Sequence, residues 1–362
     1  MDLIKRTPLY EKHRLMQAQM APFGGWDMPI QYGSIIAEHG WCRSSASLFD
    51  ICHMGELLFT GDVGASGLED CFSFSVKTIP VGRSRYGFLL NASGGIIDDL
   101  IVFRLAEERV MIVVNAATTD SDFQVIQSRL NGGCFEDITA KTGKLDLQGP
   151  FSRDVLVSRL DARISQIPYF KFMPMGILGV EALISRTGYT GELGYEIFLP
   201  VEKVGELWDL LLEDARVKPA GLGARDVLRL EVGYSLCGSD IDETITPLES
   251  GLEMFVDLSK PFVGREALLM SGKSGPARRK VAFRVNGRRS PRHGYEIWYQ
   301  GQPVGHVTSG VFSPMLSSGI GIGLVRGDLA QPGLQMEVCH EGISMEVQTC
   351  VLPFYTGGSL RS

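Results

Sequence analysis

The sequence of 362 residues lacks the cysteine and histidine patterns that bind metals or build disulfide frameworks. Its seven cysteines are odd in number and include no Cys-x-x-Cys pair, so we expect reduced thiols rather than disulfides or a zinc knuckle. The six histidines never fall at the spacing of metal ligands. The sequence therefore predicts no metal site.

Long apolar runs and an excess of positive charge are also missing. No stretch approaches the roughly 18 consecutive apolar residues of a membrane helix, and no apolar segment follows the charges near the N-terminus. We therefore expect no membrane partner and a cytoplasmic location, or an organelle matrix after processing. The net charge of -7 disfavours a nucleic-acid partner, because duplex binding needs clustered Lys and Arg.

Nucleotide-binding loops are absent as well. The sequence has no Gly-x-Gly-x-x-Gly after a strand and no Walker-type loop. These absences disfavour nicotinamide and nucleoside-triphosphate chemistry.

The composition is that of a folded globular protein, with 44% hydrophobic and 21% charged residues. The length exceeds what one hydrophobic core usually supports, so we expect two or three domains. Residues 1–270 mix helical and strand patterns, whereas residues 278–362 contain short strands and turns. The polar stretch MSGKSGPARRK at 270–280 between them predicts an exposed connection to an all-β barrel or sandwich.

Two segments of the first region predict helices. Residues 203–216 carry apolar side chains at helical spacing, with acidic residues opposite. A second helix should follow the apolar strand at 110–114, because Thr119 and Asp122 resemble a capping pair. The strand-to-helix turn then surrounds Asn115.

A first candidate for chemistry is NASGGIIDDLIVF at 91–103, where a Gly94-Gly95 turn leads into an apolar strand. Strand alternation puts Asp98 and Asp99 on opposite faces, so only one of them can point into a given pocket. Both could instead end a hairpin in solvent. An unpaired buried carboxylate is costly, so we expect one of the two to have a specific partner.

A second candidate is RTGYTGELGYEIFL at 186–199, whose last strand is apolar on both faces except for Glu196. A carboxylate in that setting needs a cation or a pair of N–H donors. One interpretation is structural pairing with an arginine. The other is a ligand with two parallel N–H donors, and a pterin ring presents such an edge.

A third candidate is a helix beginning near Gly223, which carries Arg225, Asp226 and Arg229. Asp226 can support Arg229 at a spacing of three, and surface ion pairing would explain all three residues. A site-facing arginine would instead recognise a carboxylate or a carbonyl. Four tyrosines offer faces for stacking on a flat ring, although each alone is more often part of a core: Tyr86, Tyr169, Tyr189 and Tyr195.

Taken in order, the motifs of this chain resemble the T-protein family of folate-dependent aminomethyltransferases in the glycine cleavage system. The resemblance covers nearly the whole chain, and the order of the motifs is more specific than any one of them. The motifs are TPLYEKH (7–13), FGGWDMPIQYGS (23–34), FDICHMGE (49–56), NASGGIIDDLIV, VVNA, LQGP (147–150), RTGYTGELGYEIF, GLGARDVLRLE (221–231), DETITPLESGL (242–252), FVGREAL (262–268), PRHGYEI, VTSGVFSP (307–314) and LPFYT (352–356).

The resemblance implies an α+β, three-domain, cloverleaf-like fold, with two interleaved α+β subdomains over residues 1–270 and a C-terminal all-β barrel domain over residues 278–362. It implies an enzyme with folate in a central cavity. Such an enzyme transfers the methylene carbon from the S-aminomethyl-dihydrolipoyl arm of H-protein to tetrahydrofolate. The products are 5,10-methylenetetrahydrofolate and ammonia, and no metal takes part.

The resemblance also implies roles for individual residues. Asp98 matches the essential carboxylate near the folate N10 nitrogen, and Glu196 matches the residue that grips the pterin N2 and N3 edge. The other implied folate contacts are Tyr86, Asn115, Tyr169, Tyr189, Arg225 and, on the C-terminal tail, Tyr355 and Arg361.

One position departs from the family pattern. Cys237 stands where many relatives carry Tyr, so we assign it no catalytic role. Three other functions remain open from the sequence alone. The chain could be a folate-binding accessory protein for iron-sulfur maintenance, a folate-linked demethylase of the same fold, or an interaction protein without folate.

Overall fold

The computed structural model describes residues 4–360 of the chain. Its N-terminal part alternates short helices with strands. In chain order the elements are β1 (Lys5–Arg6), α1 (Tyr10–Leu15), β2 (Gln19–Phe23), β3 (Trp26–Gln31), α2 (Ile35–Ser44), β4 (Ala46–Asp50), β5 (Gly55–Thr60), α3 (Leu68–Cys71), β6 (Ser84–Leu90), β7 (Ile96–Ala106), β8 (Arg109–Val114), α4 (Thr119–Arg129) and β9 (Cys134–Asp137).

The remainder contains the last helices and then a run of strands. These elements are β10 (Thr142–Gln148), α5 (Ser152–Arg159), β11 (Phe172–Ile177), β12 (Val180–Ser185), β13 (Gly194–Pro200), α6 (Val204–Leu212), β14 (Val217–Pro219), α7 (Leu222–Glu231), α8 (Arg265–Ser274), β15 (Arg278–Val285), β16 (Glu296–Tyr299), β17 (Gln302–Ser313), β18 (Ser318–Arg326), β19 (Gln335–His340) and β20 (Ile343–Cys350).

Within residues 4–360, the strands form three open sheets and a barrel. A three-stranded sheet has the order β1-β3-β2, a six-stranded sheet β11-β12-β13-β10-β4-β14, and a five-stranded sheet β6-β7-β8-β5-β9. The chain enters the six-stranded sheet at β4, builds the five-stranded sheet, and returns at β10. Strands β15 to β20 close a six-stranded barrel. The expected α+β fold with a C-terminal all-β barrel is therefore confirmed.

The six-stranded sheet has one apolar and one largely polar face near its centre. Leu145 and Leu147 of β10 and Ile197 of β13 pack into a core that includes Trp208 of α6. Because side chains alternate along a strand, the residues between them point the other way. Asp146 and Glu196 therefore share the opposite face, where they are direct cross-strand neighbours.

The five-stranded sheet lies against the six-stranded sheet through its own inner face. Phe103 of β7 packs with Phe198 of β13 and Phe172 of β11 in one cluster. On its outer face, Leu100 and Val102 join a cluster that contains Ile126 of α4. The polar face of the six-stranded sheet is thus turned towards β7 and its neighbours.

The predicted helices are present with different bounds or caps. Most of the apolar stripe predicted over 203–216 is buried, but α6 is shorter than predicted and Ala215, beyond its end, is exposed. Helix α4 begins where expected, yet its N-cap is Thr118, which makes no side-chain cap bond, and Asp122 is buried instead of capping. Helix α8 extends to Ser274, so the first part of the predicted 270–280 connection is helical. Among residues 4–360, no helix combines the length and apolarity needed to cross a membrane.

Candidate active site

A tight turn positions the start of β7. The side-chain oxygen of Asn91 accepts hydrogen bonds from the backbone N–H groups of Ser93 (2.9 Å) and Gly95 (3.0 Å). Gly94 has φ +82°, a conformation that glycine adopts without strain. A Cβ atom at Gly95 would stand 1.9 Å from the Glu243 carbonyl oxygen, so this close approach also requires glycine. The two aspartates follow three and four residues after Gly95.

Asn115 joins the two carboxylates of β7. Its backbone N–H donates to Asp98 Oδ2 at 2.9 Å, and its side-chain Nδ2 donates to Asp98 Oδ1 at 2.8 Å. The same Nδ2 lies 2.8 Å from Asp99 Oδ1, and the Tyr86 hydroxyl donates to Asp99 Oδ2 at 2.9 Å. The predicted residues Asp98, Asn115 and Tyr86 are therefore brought together, with Asp99 among them.

The two aspartates differ in what they face. Asp98 has 0% of its surface exposed and lies on the side of β7 that carries Leu100, towards α4. Asp99 is only partly buried and shares its face with Ile101, towards the six-stranded sheet. The expected strand alternation is present, yet both side chains reach Asn115 at the end of the sheet. This geometry favours Asp99, rather than Asp98, for contact with a substrate.

Burial and mutual repulsion keep protons on this cluster. Burial raises the pKa of Asp98, and burial together with the charge of Asp98 raises the pKa of Asp99 to about 7. The same two causes raise the pKa of Asp122 to about 10. Burial and the nearby carboxylates also raise the pKa of the Cys237 thiol. Cys237 therefore stays a thiol at neutral pH.

These groups do not form a convincing metal centre. Potential ligand atoms of Asp98, Asp99 and Cys237 lie within 4.8 Å of one another. Asn115 already occupies both oxygens of Asp98, and Tyr86 and Asn115 share those of Asp99. A metal would have to displace these bonds and deprotonate the thiol.

Glu196 is buried on the polar face of the six-stranded sheet, with 6% of its surface exposed. Its Oε2 accepts a hydrogen bond of 2.5 Å from the Thr187 hydroxyl, and its Oε1 lies 3.6 Å from Lys144 Nζ. The cation that the sequence required is therefore a lysine on β10, rather than an arginine. Lys144 supplies a positive charge beside Glu196, and Oε1 keeps lone pairs for a ligand.

Arg225 is held by the neighbour of Glu196. Its guanidinium donates from Nη1 to Asp146 Oδ2, and Gln148 Nε2 donates to the other oxygen at 2.5 Å. Burial raises the pKa of Asp146 to about 6, although Arg225 opposes the rise. Sequence reasoning missed Lys144 and Asp146. The sequence pattern that could have predicted them is the alternation of polar and apolar residues in KLDLQ at 144–148.

Tyr189 lies against Arg225 and within the electrostatic influence of Asp99. The Arg225 guanidinium lies 5.2 Å from the centre of the Tyr189 ring, and the Tyr189 hydroxyl donates to the Ser235 carbonyl. Burial raises the pKa of Tyr189, and the charge of Asp99 adds to the rise. In the same way burial, Asp99 and Tyr189 raise the pKa of Tyr86. Arg225 therefore lies against Tyr189, and Asp99 is near enough to influence the pKa of both tyrosines.

Two predicted residues lie further out. Tyr169 is 39% exposed, and its ring stands edge-on to Phe170 at 4.8 Å. The Phe170 carbonyl accepts from the Ser84 N–H, two residues before Tyr86. Tyr169 therefore marks an open edge near that strand.

The C-terminal tail lies along the loop before β13. Arg43 stacks on the Tyr355 ring at 4.5 Å, and the Ser359 hydroxyl donates to Glu192 Oε2 at 2.5 Å. The Leu360 carbonyl accepts from Arg186 at 3.2 Å. Arg361 lies outside the described residues.

Two further buried polar residues were not expected from the sequence, although both stand in FDICHMGE. Among the described residues, no group forms a hydrogen bond with either carboxyl oxygen of Glu56. The Nδ1 atom of His53 also has no hydrogen-bond partner there. Burial raises the pKa of Glu56 to about 8, with Lys144 opposing and Glu196 adding to the rise. Burial lowers the pKa of His53 to about 4. Glu56 therefore lies within the field of the Lys144 and Glu196 pair.

Comparison with known proteins identifies the family. Residues 9–260 match the family described as GCVT N-terminal domain, and residues 278–356 match the Glycine cleavage T-protein C-terminal barrel domain. The chain belongs to the glycine cleavage T-protein family. An aminomethyltransferase of Caldanaerobacter subterraneus is 42% identical over 93% of this chain and 92% of the relative. An aminomethyltransferase of Halothermothrix orenii is 41% identical over 97% of this chain and 100% of the relative.

A solved structure shows the same architecture. The glycine cleavage system aminomethyltransferase T of Bartonella henselae superposes on this T-protein with a TM-score of 0.93, at 34% identity and 99% coverage of each chain. The resemblance predicted from the motifs, the cloverleaf-like T-protein fold and the enzyme class of aminomethyltransferase are confirmed. The roles of the individual residues stay predictions.

Proposed function

We propose that this chain transfers the methylene carbon from the aminomethyl-dihydrolipoyl arm of H-protein to tetrahydrofolate, in the cytoplasm. The products are 5,10-methylenetetrahydrofolate, ammonia and the dihydrolipoyl carrier. One observation carries the proposal. Glu196, a buried carboxylate on the six-stranded sheet, stands beside Asp146, whose partner Arg225 lies over the Tyr189 ring. Asp99, a second carboxylate on the facing sheet, is near enough for its charge to raise the pKa of Tyr189. Tetrahydrofolate has N–H donors on the edge of its pterin ring and a reacting amine further along the molecule. Its binding and reaction therefore call for one carboxylate at each of these two places.

The residues of this region fit tetrahydrofolate as substrate. Glu196 Oε1 is an acceptor for the paired N–H donors of the pterin edge, and Lys144 lies beside it as the counterion. The Tyr86 and Tyr189 rings are aromatic faces of suitable size. The unpartnered oxygens of Glu56 are further acceptors in the interior, where a ligand donor would satisfy them.

Asp99 is the residue that we assign to the reacting amine. Its carboxylate is held by the Tyr86 hydroxyl and by Asn115, and its pKa of about 7 suits a group that takes and returns a proton at neutral pH. The matching motif assigns this role to Asp98. We assign to Asp98 the support of Asn115 instead, because Asp98 is fully buried on the side of β7 that faces α4.

Positioning supplies much of the catalysis in this proposal. Holding the folate amine against the methylene carbon replaces a bimolecular encounter with a local one. No covalent protein nucleophile is required. Cys237 stands near Asp99, but it is held as a thiol and so is a poor nucleophile.

The test supplies purified protein with tetrahydrofolate and aminomethyl-loaded H-protein and measures released ammonia. Ammonia release that depends on both substrates supports the transferase. Folate binding without ammonia release would contradict it and favour the accessory function. Turnover of a small N-methylated donor in place of loaded H-protein would favour the demethylase.

A further inference from the structure

Asp122 of α4 lies close to Asp98, and the proposed mechanism gives it no role. It stands on the first turns of α4 and has 0% of its surface exposed. Neither of its oxygens accepts a hydrogen bond from an N–H or O–H group of the described residues. The nearby hydroxyls of Thr118 and Thr119 donate to the Asn115 carbonyl instead.

The neighbour of Asp122 is another carboxyl group. Asp98 on β7 lies within hydrogen-bonding reach of Asp122, and each influences the ionisation of the other. The remaining titratable groups around the pair are Asp99 on β7 and Cys237 on the segment after α7. Within residues 4–360, no lysine or arginine forms an ion pair with any of these carboxyls.

Two carboxyl groups can bond to each other only if one of them carries a proton. Two ionised carboxylates at that distance would repel strongly in a buried site, so such pairs share a proton. Asp98 is the better acceptor, because two N–H groups of Asn115 already stabilise its charged form. Among the described residues, Asp122 has no N–H donor of this kind, and only the Thr118 hydroxyl opposes the rise of its pKa, so Asp122 is the member that keeps the proton.

We propose that Asp122 is a positioning residue for the transferase site: it keeps a proton and donates it to Asp98, and this bond holds Asp98 and Asn115 in the arrangement that presents Asp99. The proposal rests on the proposed function for its catalytic meaning. The proton itself is a property of the free protein. The pKa of Asp122, about 10, agrees with a group that stays protonated through the neutral range.

A first measurement tests the proton without any substrate. Infrared spectroscopy of the full chain at about pH 9 follows the C=O stretch of protonated carboxyl groups, because Asp99 and Glu56, with pKa values of about 7 and 8, are then largely ionised. We expect a protonated-carboxyl band that is lost in Asp122→Asn. The band should persist in Asp120→Asn, whose side chain on the same helix is 82% exposed. A band that survives in Asp122→Asn overturns the proposal.

A second measurement separates donation from mere packing. Asp122→Asn keeps an N–H donor towards Asp98, whereas Asp122→Leu has similar bulk and no donor. We expect ammonia release close to wild type in the first variant, and a fall of about 100-fold in the second as Asp99 moves off its position. In Asp122→Asn the alkaline fall in activity should also move to higher pH, because the pair has no proton left to lose.

Three outcomes would overturn the role of Asp122. They are equal losses in both variants, full activity in the leucine variant, and an alkaline limb unchanged in Asp122→Asn. If the leucine variant does not fold, the infrared result and the pH profile of Asp122→Asn decide. Failure of wild type to release ammonia would instead contradict the proposed function, and it would leave the infrared result standing.

Discussion

Glu196 and Asp146 stand directly opposite each other on β13 and β10, yet they hold different cations. Lys144 pairs with Glu196, whereas Arg225 pairs with Asp146. Two buried carboxylates side by side are tolerable because each has its own counterion. The arrangement fixes the direction of Arg225 towards Tyr189 and leaves Oε1 of Glu196 without a close hydrogen bond. A ligand with N–H donors can complete that position.

Truncation of Glu196 should weaken folate binding more than it slows the chemistry. In Glu196→Ala the pterin donors lose a buried charged acceptor, which costs about 1.5–3 kcal/mol, or roughly a 10- to 100-fold rise in Kd. Isothermal titration with tetrahydrofolate measures the change. Glu181→Gln, at an exposed position near the start of neighbouring β12, is the matched control and should bind as wild type does. Unchanged affinity in Glu196→Ala would remove Glu196 from the folate site.

Substitutions of the two aspartates of β7 should have different effects: at Asp99 on turnover, and at Asp98 on stability. Asp99→Asn keeps the shape and removes the base, so ammonia release should fall by roughly 100- to 10,000-fold while folate affinity changes little. Asp98→Asn instead places an amide against the N–H groups of Asn115 and should cost about 1–3 kcal/mol of unfolding free energy. Denaturant titration and ammonia assays measure the two effects. Loss of turnover in a stable Asp98→Asn variant, with Asp99→Asn active, would return the catalytic role to Asp98.

Glu56 should make stability depend on pH. Its folded-state pKa of about 8 lies above the ordinary value of 4.5, so its neutral form favours the folded protein. This contribution is complete below about pH 4.5 and is lost as the pH rises through about 8. Relative to Glu56→Gln, wild type should therefore lose unfolding free energy across that window, by at most about 1.4 kcal/mol per pH unit. Denaturant titrations at several pH values give the difference, and parallel curves would contradict it.

Arg229 of α7 forms a buried ion pair with Asp240 and a hydrogen bond to the barrel, and both should stabilise the fold. Arg229 donates from Nη1 to Asp240 Oδ2 at 2.6 Å and from Nη2 to Ser309 Oγ of β17 at 2.8 Å. Asp240→Asn leaves Arg229 with Asp226 as its remaining carboxylate partner, and it should cost about 1.5–3 kcal/mol of unfolding free energy. Asp328→Asn breaks the exposed pair with Arg326 and serves as the control, without a measurable change. Equal stability of the two variants would show that the buried pair contributes nothing.

Strand alternation made much of the site predictable from sequence. It placed the one acidic residue of an apolar strand, Glu196, where it needed a partner, and it put Asp98 and Asp99 on opposite faces. It could not show that β7 begins beside Asn115, where both carboxylates meet one amide. That meeting depends on the pairing of β7 with β8, which is a contact between strands and leaves no local pattern.

Local capping rules failed at Asp122 for a related reason. A Thr followed three residues later by Asp is typical of a helix start, and the helix was predicted correctly. The role of the aspartate depends on what lies behind α4, and the buried partner there is Asp98 from another element. Lys144 was missed in the same way, because a lysine within a short strand is usually exposed. Only the sheet shows that it faces Glu196.

The most direct test of the account is a single-turnover experiment with wild type and Asp99→Asn. Enzyme in excess is mixed with aminomethyl-loaded H-protein, and ammonia and 5,10-methylenetetrahydrofolate are measured together. We predict that wild type forms the two products in equal amounts and only when tetrahydrofolate is present, and that Asp99→Asn binds tetrahydrofolate but forms neither at a comparable rate. Ammonia released without tetrahydrofolate, or equal rates for the two proteins, would contradict the account.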